Sequence, residues 1–181
     1  ITYALSGNSA YVKNSDVAIV TAKILPKVTI NDTEYTVNTI KDYAFRNRTS
    51  LISITIPQEI TSIDKQVFNG CSSLKKVIFE DGGKSLSLSY NEVSTSSNYV
   101  GKGLFYDCPL DTLYLGRNLT YSIKKTDGYS PFYEKTSLLS VAIGDSVTSI
   151  ENYIFSGCNN ITSIKIPKGV MSIGNYVFND C

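Results

Sequence analysis

Four cysteines, sixteen carboxylates and a set of tyrosines are the residues of this chain that could do chemistry, and no histidine accompanies them. Without histidine the usual general base is missing, so Ser-His and Cys-His nucleophile pairs cannot be assembled. Two carboxylate pairs, Glu80 with Asp81 and Asp145 with Glu151, stand beside Gly or Ser, where a solvated turn is the more natural setting than general acid–base work. No phosphate loop, dinucleotide fingerprint or EF-hand spacing is present. Enzyme function is disfavoured by missing parts, and no cofactor is implied.

Cys71, Cys108, Cys158 and Cys181 each stand three residues after a phenylalanine. They lack the C-x₂-C clustering that tetrahedral zinc needs. If equivalent positions in neighbouring repeats follow parallel-strand spacing of about 5 Å, Cys71 with Cys108 and Cys158 with Cys181 come within disulfide range. Their side chains would run parallel, however, which favours a ladder of small buried thiols. Both readings stand at this point.

Those phenylalanines are the key to the elements that position everything else. Phe45, Phe68, Phe105, Phe132, Phe155 and Phe178 recur with gaps of 23, 37, 27, 23 and 23 residues. Coils begin at Leu51, Leu74, Leu110, Leu138 and Ile161, and a partial first coil ends at Phe45, giving six. Within a coil, Ser53–Ile56 alternates polar and β-branched residues and predicts a short strand, stopped by Pro57.

Lys76–Phe79, Thr112–Leu115, Ser140–Ile143 and Ser163–Ile166 repeat that pattern, so five strands should stack in parallel. A second apolar pair (Ile60 with Ile63, Val147 with Ile150, Val170 with Ile173) predicts a second extended leg. A helical or 3₁₀ turn should follow and point each phenylalanine inward to form a stacked spine. One coil cannot bury its apolar side alone, so neighbours must supply the stability.

Residues 1–37 lack the frame. Apolar runs at Tyr3–Leu5, Val17–Val20, Ile24–Ile30 and Tyr35–Val37, separated by Gly7-Asn8 and Asn31-Asp32, predict β-hairpins capping the first coil. The domain reading is a β-rich cap over 1–37 and a solenoid over 38–181, its last coil incomplete and its C-terminal face open to a further coil or to self-association.

The combination of I-x-I-P, V-x-S-I and F-x-x-C at a 23-residue period resembles the BspA-like leucine-rich repeats of surface proteins from gut and oral Bacteroidetes. The resemblance covers roughly residues 38–181, and the N-terminal stretch is similar to the lead-in such proteins carry. It implies a right-handed leucine-rich-repeat superhelix of mainly short parallel β-strands on a secreted or surface-anchored protein that binds host or bacterial partners. Arg48 and Lys135 depart from the cysteine position, and coils three and four are lengthened. The resemblance transfers no ligand.

With 17 Lys+Arg against 16 Asp+Glu, nothing in the net field favours nucleic acid. No apolar run approaches the roughly 20 residues of a membrane helix, and Ile1–Leu5 is no signal peptide, so the chain reads as a trimmed product of an extracellular or surface protein, lipid-anchored before trimming in one version.

A partner therefore has to be met by the surface. The outward positions of the strands, among them Tyr114, give only about 250–300 Å² against roughly 800 Å² per partner in a standard interface. Coil three runs 36 residues from Leu74 to Leu110 and coil four 28 from Leu110 to Leu138, against 23 from Leu51 to Leu74. Both insertions precede the phenylalanine, on one flank, and should meet. They hold Tyr90, Tyr99, Tyr121 and Tyr129 among Ser, Asn and Gly, the mixture that antibody loops use. Arg117, Lys124 and Lys125 would add charge. The expected function is a surface adhesion module for a host or bacterial protein or glycan; the alternatives are tyrosines that merely pack over the coil edges, and a spacer or assembly scaffold within a larger protein.

Overall fold

The computed structural model describes residues 1–92, 102–122 and 130–181. The N-terminal stretch contributes β1 (Thr2–Ser6), β2 (Ser9–Asn14), β3 (Thr21–Lys23), β4 (Lys27–Ile30) and β5 (Thr33–Ile40). Coil two supplies β6 (Ser53–Ile56) and β7 (Ser62–Ile63), and coil three β8 (Lys76–Phe79), β9 (Leu86–Leu88), β10 (Tyr90–Glu92) and β11 (Lys102–Gly103). Coil four holds β12 (Thr112–Leu115) and β13 (Leu119–Tyr121), coil five β14 (Ser140–Ile143) and β15 (Ser149–Ile150), and coil six β16 (Ser172–Ile173).

Two parallel ladders result. The first runs β3-β6-β8-β12-β14 with an unbroken register, Ile54 beside Val77 beside Leu113 beside Val141. Alternation puts these residues inward, where all four are buried, and leaves mostly small or polar residues such as Ser53, Thr55, Thr112 and Ser140 outside. The expected strand at Ser163–Ile166 does not join. Ile164 and Ile166 are only half-buried, whereas Ile54 and Ile56 are fully so, and less burial is available there to offset the ordering of the backbone. The fifth place in the ladder is taken at the other end by β3.

The second ladder, β2-β5-β7-β9-β13, joins β2 of the N-terminal stretch to the second legs of coils one to four. It lapses between β13 and β15; among the described residues β15 pairs only with β16. Gly7-Asn8 joins β1 to β2, and Asn31-Asp32, with φ of 49° and 60°, makes the tight turn from β4 to β5, whose geometry suits the strand twist. Val17–Val20 forms a turn instead of a strand, fixed by the Ala18 N–H donating to Asp16 Oδ1 at 2.9 Å. β5 continues through residues 37 and 38 without interruption.

The expected helical or 3₁₀ turn is a chain of i→i+3 turns instead. In coil two, Asn69 N–H donates to Gln66 O, Cys71 N–H to Phe68 O and Leu74 N–H to Cys71 O. Gln66 (φ 56°) and Gly70 (φ 74°) are left-handed on either side of Phe68, and left-handed residues cannot propagate a right-handed helix. Tyr43 and Asn47 flank Phe45 in the same way.

Between those turns the rings stack. Centroids lie 5.8 Å apart for Phe45–Phe68, 4.9 Å for Phe68–Phe105, 5.5 Å for Phe105–Phe132, 6.0 Å for Phe132–Phe155 and 5.9 Å for Phe155–Phe178. Five of the six rings are inaccessible to water; Phe178 is 40% exposed. Each stacked pair adds about 0.5–1.5 kcal/mol beyond area burial.

Candidate functional site

The thiols belong to the scaffold. All four cysteines are free. Each Sγ donates to the carbonyl of a spine phenylalanine one coil earlier: Cys71 to Phe45 at 3.0 Å, Cys108 to Phe68 at 3.5 Å, Cys158 to Phe132 at 3.1 Å and Cys181 to Phe155 at 3.1 Å. Burial pushes the Cys71 thiol up to about 11 and that of Cys158 to about 12, and raises Cys108 and Cys181 as well. The three buried thiols, Cys71, Cys108 and Cys158, stay protonated and unreactive at neutral pH, whereas Cys181 is exposed.

The two departures from cysteine fill the same slot with longer donors. Lys135 Nζ reaches the carbonyl of Tyr106, and burial lowers its pKa. Arg48 donates through Nε to Ser15 O and Oγ and through Nη2 to Asn14 Oδ1 at 2.7 Å. The position is thus a donor to the preceding coil or, for Arg48, to the N-terminal stretch that precedes the first coil.

Of the residues expected to contact a partner, Arg117 is moved furthest. It is 0% exposed. Nη1 donates to Gln58 O (2.8 Å) and Ile60 O (2.6 Å), and Nη2 to Pro57 O (2.9 Å), so the guanidinium reaches from coil four past coil three to the bend of coil two. Burial lowers its pKa to about 10, still charged at neutral pH, and Nε has no partner among the described residues. It is a buried staple, and the sequence shows this only as one Arg in a Gly-Arg-Asn bend.

Tyr121 is likewise structural. It occupies the inward register position of Leu88 and Ile63 on β13, half-buried, and its hydroxyl donates to Asn152 O at 2.7 Å. Burial holds that phenol well above its ordinary pKa. Tyr114 points outward from β12 and donates to Asp81 Oδ2 at 2.7 Å, a bond to a carboxylate that raises the phenol pKa. A Cβ at Gly144 would fall 2.3 Å from Asp81 Oδ1 and 2.7 Å from Tyr114 Oη, so only glycine fits beside this tether.

Tyr90 opens the coil-three insertion on β10, opposite Gly103, and its carbonyl accepts from Gln66 N–H at 3.0 Å. Tyr99, Tyr129, Lys124 and Lys125 lie outside the described residues. The insertions do start side by side, because β9 pairs with β13, Ser87 beside Thr120. Beside them, where the second ladder lapses, Asn118 substitutes for the missing backbone pairing: Oδ1 accepts from Thr148 and Ser149 N–H, and Nδ2 donates to Thr148 Oγ1 at 2.8 Å. Nothing in the sequence pattern marked Asn118.

At the base of the insertions lies a groove of about 380 Å³ over β7, β9 and β13. Its floor is the in-register row Ser62, Ser87, Thr120, and Asp64, Ser89 and Tyr90 stand around it. Among the described residues no cluster of three or more metal-ligating side chains occurs, and no helix is long and apolar enough to cross a membrane.

The model of the BspA type leucine-rich repeat region matches residues 24–130 and 125–181, in six copies. The chain belongs to this family. No curated protein matches the sequence. Among solved structures, a leucine-rich repeat protein from Bacteroides ovatus ATCC 8483 is 24% identical with a TM-score of 0.53, over 99% of this chain and 49% of that one. A leucine-rich cell surface protein from Faecalibacterium prausnitzii A2-165 is 25% identical (TM-score 0.52, over 99% and 50%). The pneumococcal vaccine antigen PcpA is 21% identical (TM-score 0.57, over 98% and 45%). This BspA-type chain spans about half the length of these structural relatives.

Proposed function

We propose that this BspA-type repeat segment is a non-catalytic binding module of a cell-surface or secreted protein, recognising a host or bacterial protein or glycan through the flank that carries its two insertions. The observation behind the reading is the pairing of β9 with β13, which starts both insertions side by side above an unbroken phenylalanine column. Extra chain that the spine does not need is free to contact a partner. Tyr90, Tyr99 and Tyr129 are the tyrosines assigned to contact; Arg117 is withdrawn from that role by its burial, while half-buried Tyr121 lines the groove with its hydroxyl committed to Asn152 O. In this reading residues 1–37 cap the solenoid of 38–181, with β2 laid on β5. Adhesion of the fragment to host cells and matrix proteins, with Tyr90, Tyr99 and Tyr129 replaced together by Ala, tests the assignment. Unchanged adhesion by a folded triple variant discards it.

A spacer or assembly role is favoured by a different observation, the apolar C-terminal face on which Met171 is 83% and Ile173 51% exposed. Sedimentation decides it: association of the fragment that Ile173→Glu abolishes supports assembly, and a monomer at high concentration removes it.

A further inference from the structure

The groove over β7, β9 and β13 has a lining that selects among ligand classes. Its floor hydroxyls are Ser62, Ser87 and Thr120, set one strand apart by the parallel register, about 4.8 Å per step. A hydroxyl donates and accepts at once, so a fixed row of them matches a ligand whose own groups also do both. Ser62 Oγ donates to Thr39 Oγ1 at 3.0 Å, which orients it. Ser87, Ser89 and Thr120 make no side-chain hydrogen bond to another described residue and stand ready to bond a ligand.

Charge and polarity narrow the choice further. Asp64 is the one charged side chain among the described lining residues, and it faces Lys41 Nζ at 3.3 Å. No Lys or Arg stands among those described lining residues, and Lys41 beside them is paired with Asp64, which favours a neutral ligand over a phosphate, a sulfate or a carboxylated sugar. The two aliphatic lining residues, Ile63 and Leu88, are 1% and 4% exposed and face the core, and half-buried Tyr121 lines the groove beside them. Tyr90 supplies an aromatic ring at the rim, opposite Gly103, which contributes no side chain. The volume of about 380 Å³ lies within the roughly 300–1,000 Å³ of small-molecule sites.

We propose that this groove is a subsite for a neutral carbohydrate, its ring hydroxyls bonded by Ser62, Ser87 and Thr120 and one sugar face laid against Tyr90. The inference rests on the reading of the insertion flank as the binding surface and commits that surface to a ligand class.

The test uses the whole fragment with cellohexaose, xylohexaose, mannohexaose, maltohexaose and chitohexaose at millimolar concentration, and a heparin hexasaccharide as the anionic control. Amide resonances and calorimetry are the readouts. At least one neutral probe should shift the resonances of Ser62, Ser87 and Thr120, and bind about tenfold more weakly to Ser87→Arg, which fills the groove from an exposed position, at an unchanged melting temperature. Thr120→Val, which removes one hydroxyl at constant shape, should weaken binding less and serves as the readout if the arginine variant does not fold. Absence of binding by all five neutral probes, binding equal in wild type and variants, or preference for heparin overturns the inference. If no sugar binds while Ser87→Arg still abolishes adhesion, the flank remains the binding surface and only the carbohydrate assignment falls. If adhesion survives both Ser87→Arg and the triple tyrosine variant, both fall.

Discussion

Phe68 and Phe105 are 37 positions apart in sequence and 4.9 Å apart in space, while Phe45 and Phe68 are separated by 23 positions and 5.8 Å. Added chain does not loosen the column. On the second leg the outcome differs: coil four carries a much shorter insertion, yet β13 makes no ladder with β15 and is joined to coil five through Asn118 and Tyr121. The turn is closed in each coil by a ring stack and an Sγ–carbonyl bond or its substitute; two left-handed residues flank the phenylalanine in coils one, two, five and six, only Glu134 does so in coil four, and in coil three neither Gly103 nor Asp107 is left-handed. The second leg has two or three backbone bonds and an inward side chain. At the inward position of Ile63 and Leu88, β13 carries Tyr121, whose hydroxyl bonds Asn152 O of coil five. The lengthened coils thus keep the ring stack and the donor bond, while the left-handed turn residues and, after coil four, the second-leg pairing change.

The largest effect expected from this contrast is at the spine. Phe105→Ala opens a cavity between two stacked neighbours and should cost about 3–5 kcal/mol in a chemical melt. Phe178→Ala, on a ring 40% exposed with one stacking partner, should cost well under half as much; equal losses would break the picture of a column whose interior rings carry the stability.

Next comes the staple across coil three. Arg117→Met leaves the carbonyls of Pro57, Gln58 and Ile60 without their donor and should destabilise by about 2–4 kcal/mol. Because the guanidinium is shielded, the loss should be the same at low and high salt; a salt-sensitive loss would return Arg117 to the surface.

Asn118→Ala removes three bonds at the lapse between β13 and β15 and should cost about 1–3 kcal/mol. Hydrogen exchange should then rise at Thr148 and Ser149 and remain unchanged at the Phe155 amide, which donates to Val177 O. Faster exchange at Phe155 would show that leg and turn are not independent.

The smallest effect is in pH. The Cys71 thiol has a folded pKa of about 11, above its ordinary value of 9.0. The folded state therefore holds a proton that the unfolded state releases, and this contribution is complete below about pH 9 and lost as pH rises through 11. For Cys71 the loss at pH 10 is on the order of 1 kcal/mol. Melts at pH 8 and pH 10 should differ less for Cys71→Ala than for wild type, and identical differences would place the thiol in water.

Much of this architecture is readable in the residues because a repeat states its rule several times. The six phenylalanines, the strands at 53–56, 76–79, 112–115 and 140–143 and the hairpin turns at Gly7-Asn8 and Asn31-Asp32 all follow from local period and turn chemistry. The strand expected at 163–166 fails because a sheet position needs a packed neighbour, which alternation alone does not record. β3 carries no repeat signature and joins the ladder through its register with β6.

The site divides the same way. That coils three and four carry tyrosine-rich insertions on one flank is a matter of counting residues. Which tyrosine and which arginine face outward is not, since Arg117 and Tyr121 look like contact residues by type, yet Arg117 is buried against carbonyls at positions 57–60 and half-buried Tyr121 has its hydroxyl bonded to position 152. Sequence fixes what repeats at a constant interval, because each coil meets a copy of the same neighbours. The tertiary structure alone decides the unique contacts where coils of unequal length meet, because their partners lie at separations that no period encodes.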